Sequence, residues 1–270
     1  MPIKGQLRKA LLGILLLNGG RVTQVSTLID GMWPTAPPRS AVENIRTYIY
    51  QLRSVFQSYG GDDRIESHSS GYSLDVDADE LDLSRFMTLA RSGRETLRLG
   101  RASAAVACLT GARALWSDKP LGGIEFGANV SAKLVAIEEH RRQVDADLIE
   151  ARMLLHDYGA LIPMLRQLVA EYPLDEALWC RFVITLYALG RTAEALEAYA
   201  DARRVLRTEL GIEPGPELRR VQQAVLSGED PETFVGVAQR QVPRDHDTIP
   251  AEPYAPAGIF AHAVPSHAAL

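Results

Sequence analysis

The order of secondary-structure patterns in the first 75 residues constrains the fold of this chain more than any other feature. A first helix is predicted before the helix-ending run Asn18-Gly19-Gly20, because apolar residues recur there at helical spacing: Leu7, Ala10, Leu11, Ile14 and Leu15. Thr23 is a suitable N-cap for a second helix. This helix is expected to end at Trp33-Pro34, and its apolar stripe consists of Val25, Leu28, Ile29 and Met32.

A third, longer helix and a hairpin complete this order. Ser40 and Glu43 have the spacing of a capping box that opens a helix running to about residue 59, with an apolar face of Ile45, Ile49, Leu52 and Phe56. Residues 64–68 are then expected to pair with residues 71–75 across a short serine turn. Helix, helix, longer helix and hairpin is the order of a winged helix-turn-helix domain. In that fold the third helix enters the DNA major groove, and the hairpin contacts the backbone or the minor groove.

The polar face of the third helix carries side chains that can read DNA. Asn44 and Gln51 have amide groups that can bind adenine edges, and Thr47 can contact a thymine methyl group. Arg46 and Arg53 lie on the flanks, where Arg53 can neutralise a phosphate. An ordinary solvated helix face explains the same residues, so this pattern alone leaves both interpretations open.

The charge distribution is polarised along the chain. Residues 1–60 hold seven basic residues against two acidic ones, a net charge of +5, whereas residues 61–79 have a net charge of −5. The formal net charge of the whole chain is also −5. A basic N-terminal segment in an otherwise acidic chain indicates that this segment binds a polyanion. Chance fluctuation over 60 residues is the alternative explanation.

Residues after position 80 show a faint helical repeat. Gly100 is followed at offsets of 5, 9 and 12 by Ala105, Leu109 and Ala112, and Gly190 by Ala195, Tyr199 and Ala202. A small, large, small pattern at this spacing is typical of the second helix of a tetratricopeptide repeat, because alanines allow paired helices to approach closely. A weaker copy starts at Gly159 and contains Met164, Leu168 and Glu171. Trp116 and Trp179 are interpreted as core residues rather than as ligand-stacking ones.

No catalytic, metal-binding or membrane-spanning pattern is present in the sequence. It contains no Gly-x-x-x-x-Gly-Lys-Ser/Thr phosphate loop and no Gly-x-Ser-x-Gly motif, and Glu138-Glu139-His140 lacks the second histidine of a helical zinc site. The two distant cysteines, Cys108 and Cys180, form no zinc spacing and favour a reducing cytoplasm. We therefore expect a cytoplasmic, nucleoid-associated protein that is not an enzyme and that needs no metal or cofactor.

Several motifs resemble one known family in their order along the chain. They include Leu7-Arg8-Lys9-Ala10-Leu11-Leu12, Met32-Trp33-Pro34, Thr47-Tyr48-Ile49-Tyr50-Gln51-Leu52-Arg53, Gly71-Tyr72-Ser73-Leu74, Leu115-Trp116 with Pro120-Leu121, and Glu209-Leu210-Gly211-Ile212-Glu213-Pro214. The chain resembles the Streptomyces antibiotic regulatory proteins, the SARP family, over residues 5 to about 228. The resemblance implies a mainly α protein. Residues 1–79 are expected to form an OmpR-type winged helix, residues 80–228 an all-α, tetratricopeptide-like bacterial transcriptional activation domain, and residues 229–270 a disordered Pro/Ala-rich tail.

The resemblance also implies the site residues and the partners. The DNA-binding positions are Arg39, Ser40, Asn44, Thr47, Tyr48, Gln51, Arg53 and His68, where His68 stands at a wing position that is often basic in relatives. The loop Pro34, Thr35, Ala36 and Pro37 is the expected polymerase-facing surface. The implied function is activation of a secondary-metabolite gene cluster. The implied partners are double-stranded DNA with direct repeats, bound by a head-to-tail dimer, and RNA polymerase including its sigma factor.

The N-terminus departs from the family pattern. Relatives usually have β-strands before the first helix, whereas only four residues precede Gly5 here. Either the chain starts late or the N-terminal strands are missing, and we expect Leu7, Leu11 and Leu15 to lose part of their cover. This departure motivates the alternative function, a tetratricopeptide-like interaction scaffold with a degenerate winged helix that does not bind DNA.

Overall fold

The computed structural model describes residues 3–60, 64–116 and 119–231. Its helices and strands, in chain order, are α1 (Gln6–Leu17), β1 (Thr23–Gln24), α2 (Val25–Met32), α3 (Ala41–Ser58), β2 (Ile65–Ser67), β3 (Gly71–Leu74), α4 (Asp82–Arg98), α5 (Ala102–Ala114), α6 (Ala128–Leu154), α7 (Tyr158–Glu171), α8 (Glu176–Ala188), α9 (Thr192–Leu210) and α10 (Pro216–Ser227). Within the described part, residues 3–89 and 111–143 form one compact unit, and residues 90–110 and 144–231 form another. The fold is mainly α, as predicted, with a winged helix followed by a tetratricopeptide-like bundle.

A three-stranded antiparallel sheet with the order β1-β3-β2 forms the wing of the first unit. The β2–β3 hairpin has the predicted register, with Ile65 opposite Leu74. The expectation that Thr23 caps a helix is wrong, because Thr23 lies in β1 and pairs with Tyr72, and α2 begins only at Val25. The backbones of β1 and β3 approach so closely that a Cβ at Gly71 would lie 1.9 Å from the Thr23 carbonyl oxygen.

Helix α3 begins and ends close to the predicted bounds, but without the predicted capping box. Ser40 occupies the N-cap position with φ −90° and ψ 18°, and its side chain makes no cap hydrogen bond. A capping side chain normally needs an extended backbone at that residue to reach the third helical N–H. Instead, Asn44 Nδ2 donates to Ser40 Oγ at 3.3 Å. The buried face of α3 contains Ala41, Ile45, Ile49 and Leu52.

Residues beyond 120 complete the core of the first unit. Leu11 and Leu15 are fully buried, so the expectation that they lose cover is wrong for both, whereas Leu7 is half-buried. The reason is that the apolar cluster around α1 also contains Phe126, Val130 and Ile137. Leu121 packs closely against α1 at Gly13, because a Cβ at this glycine would lie only 2.7 Å from Leu121 Cδ1.

The second unit buries the repeat positions. Helix α8 packs against α7, α9 and α10. Ala195 and Ala202 on α9 have no exposed surface, and Tyr199 is buried between them. In the weaker third copy Met164 and Leu168 are buried, while Glu171 is exposed. The small residues Ala195 and Ala202, two turns apart on one face of α9, thus allow the neighbouring helices to approach closely, as the spacing predicted.

The two tryptophans of the helical region are packed rather than free. Trp179 is buried in the second unit, and its Nε1 donates to the Pro173 carbonyl oxygen at 2.9 Å. Trp116, in the first unit, is half-buried and packs on Phe86 with ring centroids 5.3 Å apart. The described positions bring together no group of His, Cys, Asp and Glu side chains suited to a metal ion. None of the described helices combines the length and the hydropathy needed to cross a membrane.

One expectation, the disordered tail, lies outside the described residues from position 232 onward.

Burial makes the thiol of Cys180 unreactive. Burial, reinforced by Glu217 and Glu176, raises the pKa of this thiol to about 12, and Cys180 is buried whereas Cys108 is half-buried. At pH 8 only about one Cys180 in ten thousand is then a thiolate, the form that reacts. We expect an aromatic disulfide reagent at pH 8 to label Cys108 first and Cys180 only after unfolding, as read by peptide mass spectrometry. Labelling of both cysteines at equal rates in the folded protein would contradict this placement.

Candidate nucleic-acid interface

The predicted DNA-reading residues lie on one face of α3. Asn44, Thr47, Tyr48 and Gln51 follow the i, i+3, i+4, i+7 spacing that aligns side chains on a helix. Thr47 is exposed, and the other three are half-buried. The hydroxyl of Thr47 donates to the Glu43 carbonyl oxygen at 3.0 Å, so the methyl group is what this side chain offers outward. Tyr48 also packs against the apolar cluster of the first unit.

Tyr50 and Arg46 are exposed residues of α3 that the sequence reasoning did not select for base contact. Tyr50 is 74% exposed, although tyrosine is usually at least partly buried. Thr47 and Tyr50 are three residues apart on the face opposite Ile45 and Ile49, and Arg46 lies beside them. A helical wheel centred on the buried stripe would have identified this face, which extends the candidate interface beyond the amide-bearing residues.

The N-terminal approach to α3 is exposed throughout. Arg39 and Ser40 directly precede its first turn and are both exposed. Unsatisfied backbone N–H groups and the helix dipole favour anions at such a terminus. The polymerase-facing loop of the sequence prediction, Pro34, Thr35, Ala36 and Pro37, is also exposed and connects α2 to α3. Both sets of residues are therefore accessible to a partner. The predicted DNA contact of Arg39 and Ser40 and the predicted polymerase contact of the loop both require this exposure.

The wing turn is exposed and its base is held by polar contacts. His68 Nε2 lies 2.8 Å from Ser73 Oγ and 3.7 Å from a carboxylate oxygen of Glu66. At the other end, Arg64 donates through two nitrogens to the Glu80 carboxylate at 2.5 and 2.9 Å. This fork lowers the pKa of Glu80 below its usual range, mainly through the hydrogen bond from Arg64. The ion pair thus joins the residue before β2 to the segment between β3 and α4.

Arg53 has its hydrogen-bond partners within the protein. It lies on α3 and donates to the carbonyl oxygen of Ile65 and to Ser67 Oγ, both on β2. The structure thus joins α3 to the wing through one side chain. Of the predicted site residues, Asn44, Thr47, Tyr48, Gln51 and Arg53 lie on α3, Arg39 and Ser40 directly precede it, and His68 lies between β2 and β3.

Comparison with known proteins gives the family. Residues 81–226 match the family described as "Bacterial transcriptional activator domain". The chain is 34% identical over 220 residues to the Regulatory protein DnrI of Streptomyces peucetius, covering 79% of this chain and 81% of DnrI. It is 31% identical over 253 residues to the Transcriptional regulator RedD of Streptomyces coelicolor, covering 92% of this chain and 69% of RedD.

A solved structure gives the same result at the level of the fold. Mycobacterium tuberculosis EmbR, in complex with a low-affinity phosphopeptide, superposes with a TM-score of 0.75 at 27% identity, covering 89% of this chain and 65% of EmbR. These relatives are regulators of transcription and not enzymes, in agreement with the sequence reasoning. The chain belongs to the SARP family of transcriptional regulators, with residues 81–226 as its bacterial transcriptional activator domain.

Proposed function

We propose that this protein is a sequence-specific DNA-binding activator of a secondary-metabolite gene cluster. The observation that carries the proposal is the polar outward face of α3, which presents Asn44, Thr47 and Gln51 beside an exposed wing turn. Amides that bind adenine, a methyl group that contacts thymine and a nearby guanidinium at Arg46 match the edges of base pairs in the major groove. The membership in a family of regulators, with relatives such as DnrI and RedD, supports the same function.

The proposal includes the arrangement on DNA and the partner. Two protomers bind direct repeats head to tail, and the exposed loop from Pro34 to Pro37 contacts RNA polymerase, including its sigma factor. Its prolines restrict the backbone, so little conformational entropy is lost when a partner binds. A basic N-terminal segment strengthens binding through release of counterions from the phosphates, so the affinity falls as salt rises. The site of action is the nucleoid in the cytoplasm.

Gln51→Ala is expected to weaken binding to the cognate duplex by about 1–3 kcal/mol, with little change on random-sequence DNA. The amide at this position is half-buried on the outward face of α3, where it can make paired hydrogen bonds to one base. Fluorescence anisotropy with labelled duplexes at fixed salt measures both affinities. The matched control is Gln57→Ala, which removes an exposed glutamine from the last turn of the same helix. Equal losses on cognate and random DNA would contradict a base-reading role for Gln51.

A further inference from the structure

The guanidinium of Arg53 connects the recognition helix to the wing by three hydrogen bonds. Its Nε and Nη2 donate to the Ile65 carbonyl oxygen at 3.0 and 2.5 Å, and Nη2 also donates to Ser67 Oγ at 2.9 Å. Arg53 is half-buried on α3, while both acceptors belong to β2, the strand that leads into the exposed turn. One side chain therefore spans the two elements that a winged helix presents to DNA.

The wing needs such an anchor because its own pairing is short. Its two ladders contain three residue pairs between β2 and β3 and two pairs between β1 and β3. A small hairpin of this size is marginally stable by itself. Ile65 and Leu74 are buried at its base, but residues 66–70 are exposed. The direction of the exposed tip thus depends on contacts made to β2 from outside the hairpin.

The wing also has little positive charge of its own. Between Ile65 and Leu74 there is no Lys or Arg, and the single basic side chain is that of His68. A change in wing position therefore alters hydrogen bonds and shape contacts with DNA far more than it alters counterion release. The salt dependence of binding consequently separates two roles of Arg53. A direct phosphate contact contributes to the slope of the logarithm of the binding constant against the logarithm of the salt concentration. An anchor for the wing does not change that slope.

We propose that Arg53 is a positioning residue that fixes the wing against α3, so that both elements meet DNA in a single arrangement. This inference rests on the proposed DNA-binding function for its consequences on DNA, but the anchoring itself is a property of the free protein. The planar guanidinium suits this role because its donors diverge in one plane and can bond two acceptors on one strand at once.

The first experiment uses the free full-length protein and hydrogen exchange. In Arg53→Ala, which removes the hydrogen bonds to Ile65 and Ser67, backbone amides of the β2–β3 wing are expected to exchange at least about tenfold faster. Amides of α1 keep their rates. Arg53→Gln is the informative rescue, because its side-chain nitrogen stands at the same bond distance from the backbone as Arg Nε, which contacts Ile65. The control Arg46→Ala removes an exposed arginine from the same helix and leaves the wing unchanged.

The second experiment measures affinity against salt on the selected duplex. Arg53→Ala is expected to bind about tenfold more weakly with an unchanged slope, and Arg53→Gln to recover most of the affinity with the same slope. If both variants lower the slope by about one and leave wing exchange unchanged, Arg53 is a phosphate contact and the inference is overturned. If no duplex is bound selectively, the proposed function fails, yet the exchange rates still decide whether Arg53 anchors the wing.

Discussion

Gly127→Ala is expected to lower the stability of the first unit by about 3 kcal/mol, because the added methyl group meets backbone rather than a movable side chain. Gly127 N donates to the Gly31 carbonyl oxygen at 3.0 Å, at the end of α2. A Cβ at Gly127 would lie 1.8 Å from the Asp30 carbonyl oxygen. Relief requires the segment to move away from α2, which removes Val130 from its contact with Gly31.

Hydrogen exchange with mass spectrometry measures this effect for the first unit separately, through peptides of α1 and α2 in increasing urea. Gly159→Ala is the control, because no atom lies within 4 Å of a Cβ there and the position is the second residue of α7. Alanine in a helix is expected to be neutral or slightly stabilising. Unchanged protection of α1 and α2 in Gly127→Ala would show that residues beyond 120 are not needed to complete the winged-helix core.

Ala202→Leu is expected to destabilise the second unit by a similar amount, about 3 kcal/mol. Ala202 has no exposed surface, and its helix α9 packs against both α8 and α10. Three extra carbon atoms at this position force the helices apart or push the new side chain into a strained rotamer. The effect is read as faster exchange of α8 and α10 amides in urea.

The matched control lies two residues away on the same helix. Ala200 is exposed, so Ala200→Leu adds the same volume toward solvent and is expected to change stability by less than about 0.5 kcal/mol. The pair thus compares an inward and an outward position with identical chemistry. Equal stability of the two variants would contradict the tetratricopeptide-like packing in which small residues set the distance between helices.

Local patterns predicted the local elements well. Turn residues and alternation predicted the hairpin from Ile65 to Leu74, and the period of the apolar residues predicted the buried faces of α1 and α3. These features depend on neighbours in sequence, so single-sequence reasoning can find them. The capping box at Ser40 did not form, although its spacing was right, because a cap also depends on backbone angles that the spacing does not specify.

Features that depend on distant residues were missed. Strand β1 has only two residues, and it is a strand because Thr23 pairs with Tyr72, which is far along the chain. The cover of Leu11 comes in part from the cluster that includes Phe126, and no local pattern links these positions. The sequence predicted which candidate site residues share α3, but the contact of Arg53 with Ile65 required the packed structure.

Selection of bound duplexes from a random-sequence pool, followed by a salt titration on the enriched sequence, tests the central claim most directly. The account predicts enrichment of a spaced direct repeat and an affinity for it that falls steeply as salt rises. It also predicts that Gln51→Ala reduces the preference for that repeat while keeping its binding to random DNA. A folded protein that enriches no sequence, or that binds all duplexes with equal affinity, would contradict the proposal that α3 reads DNA.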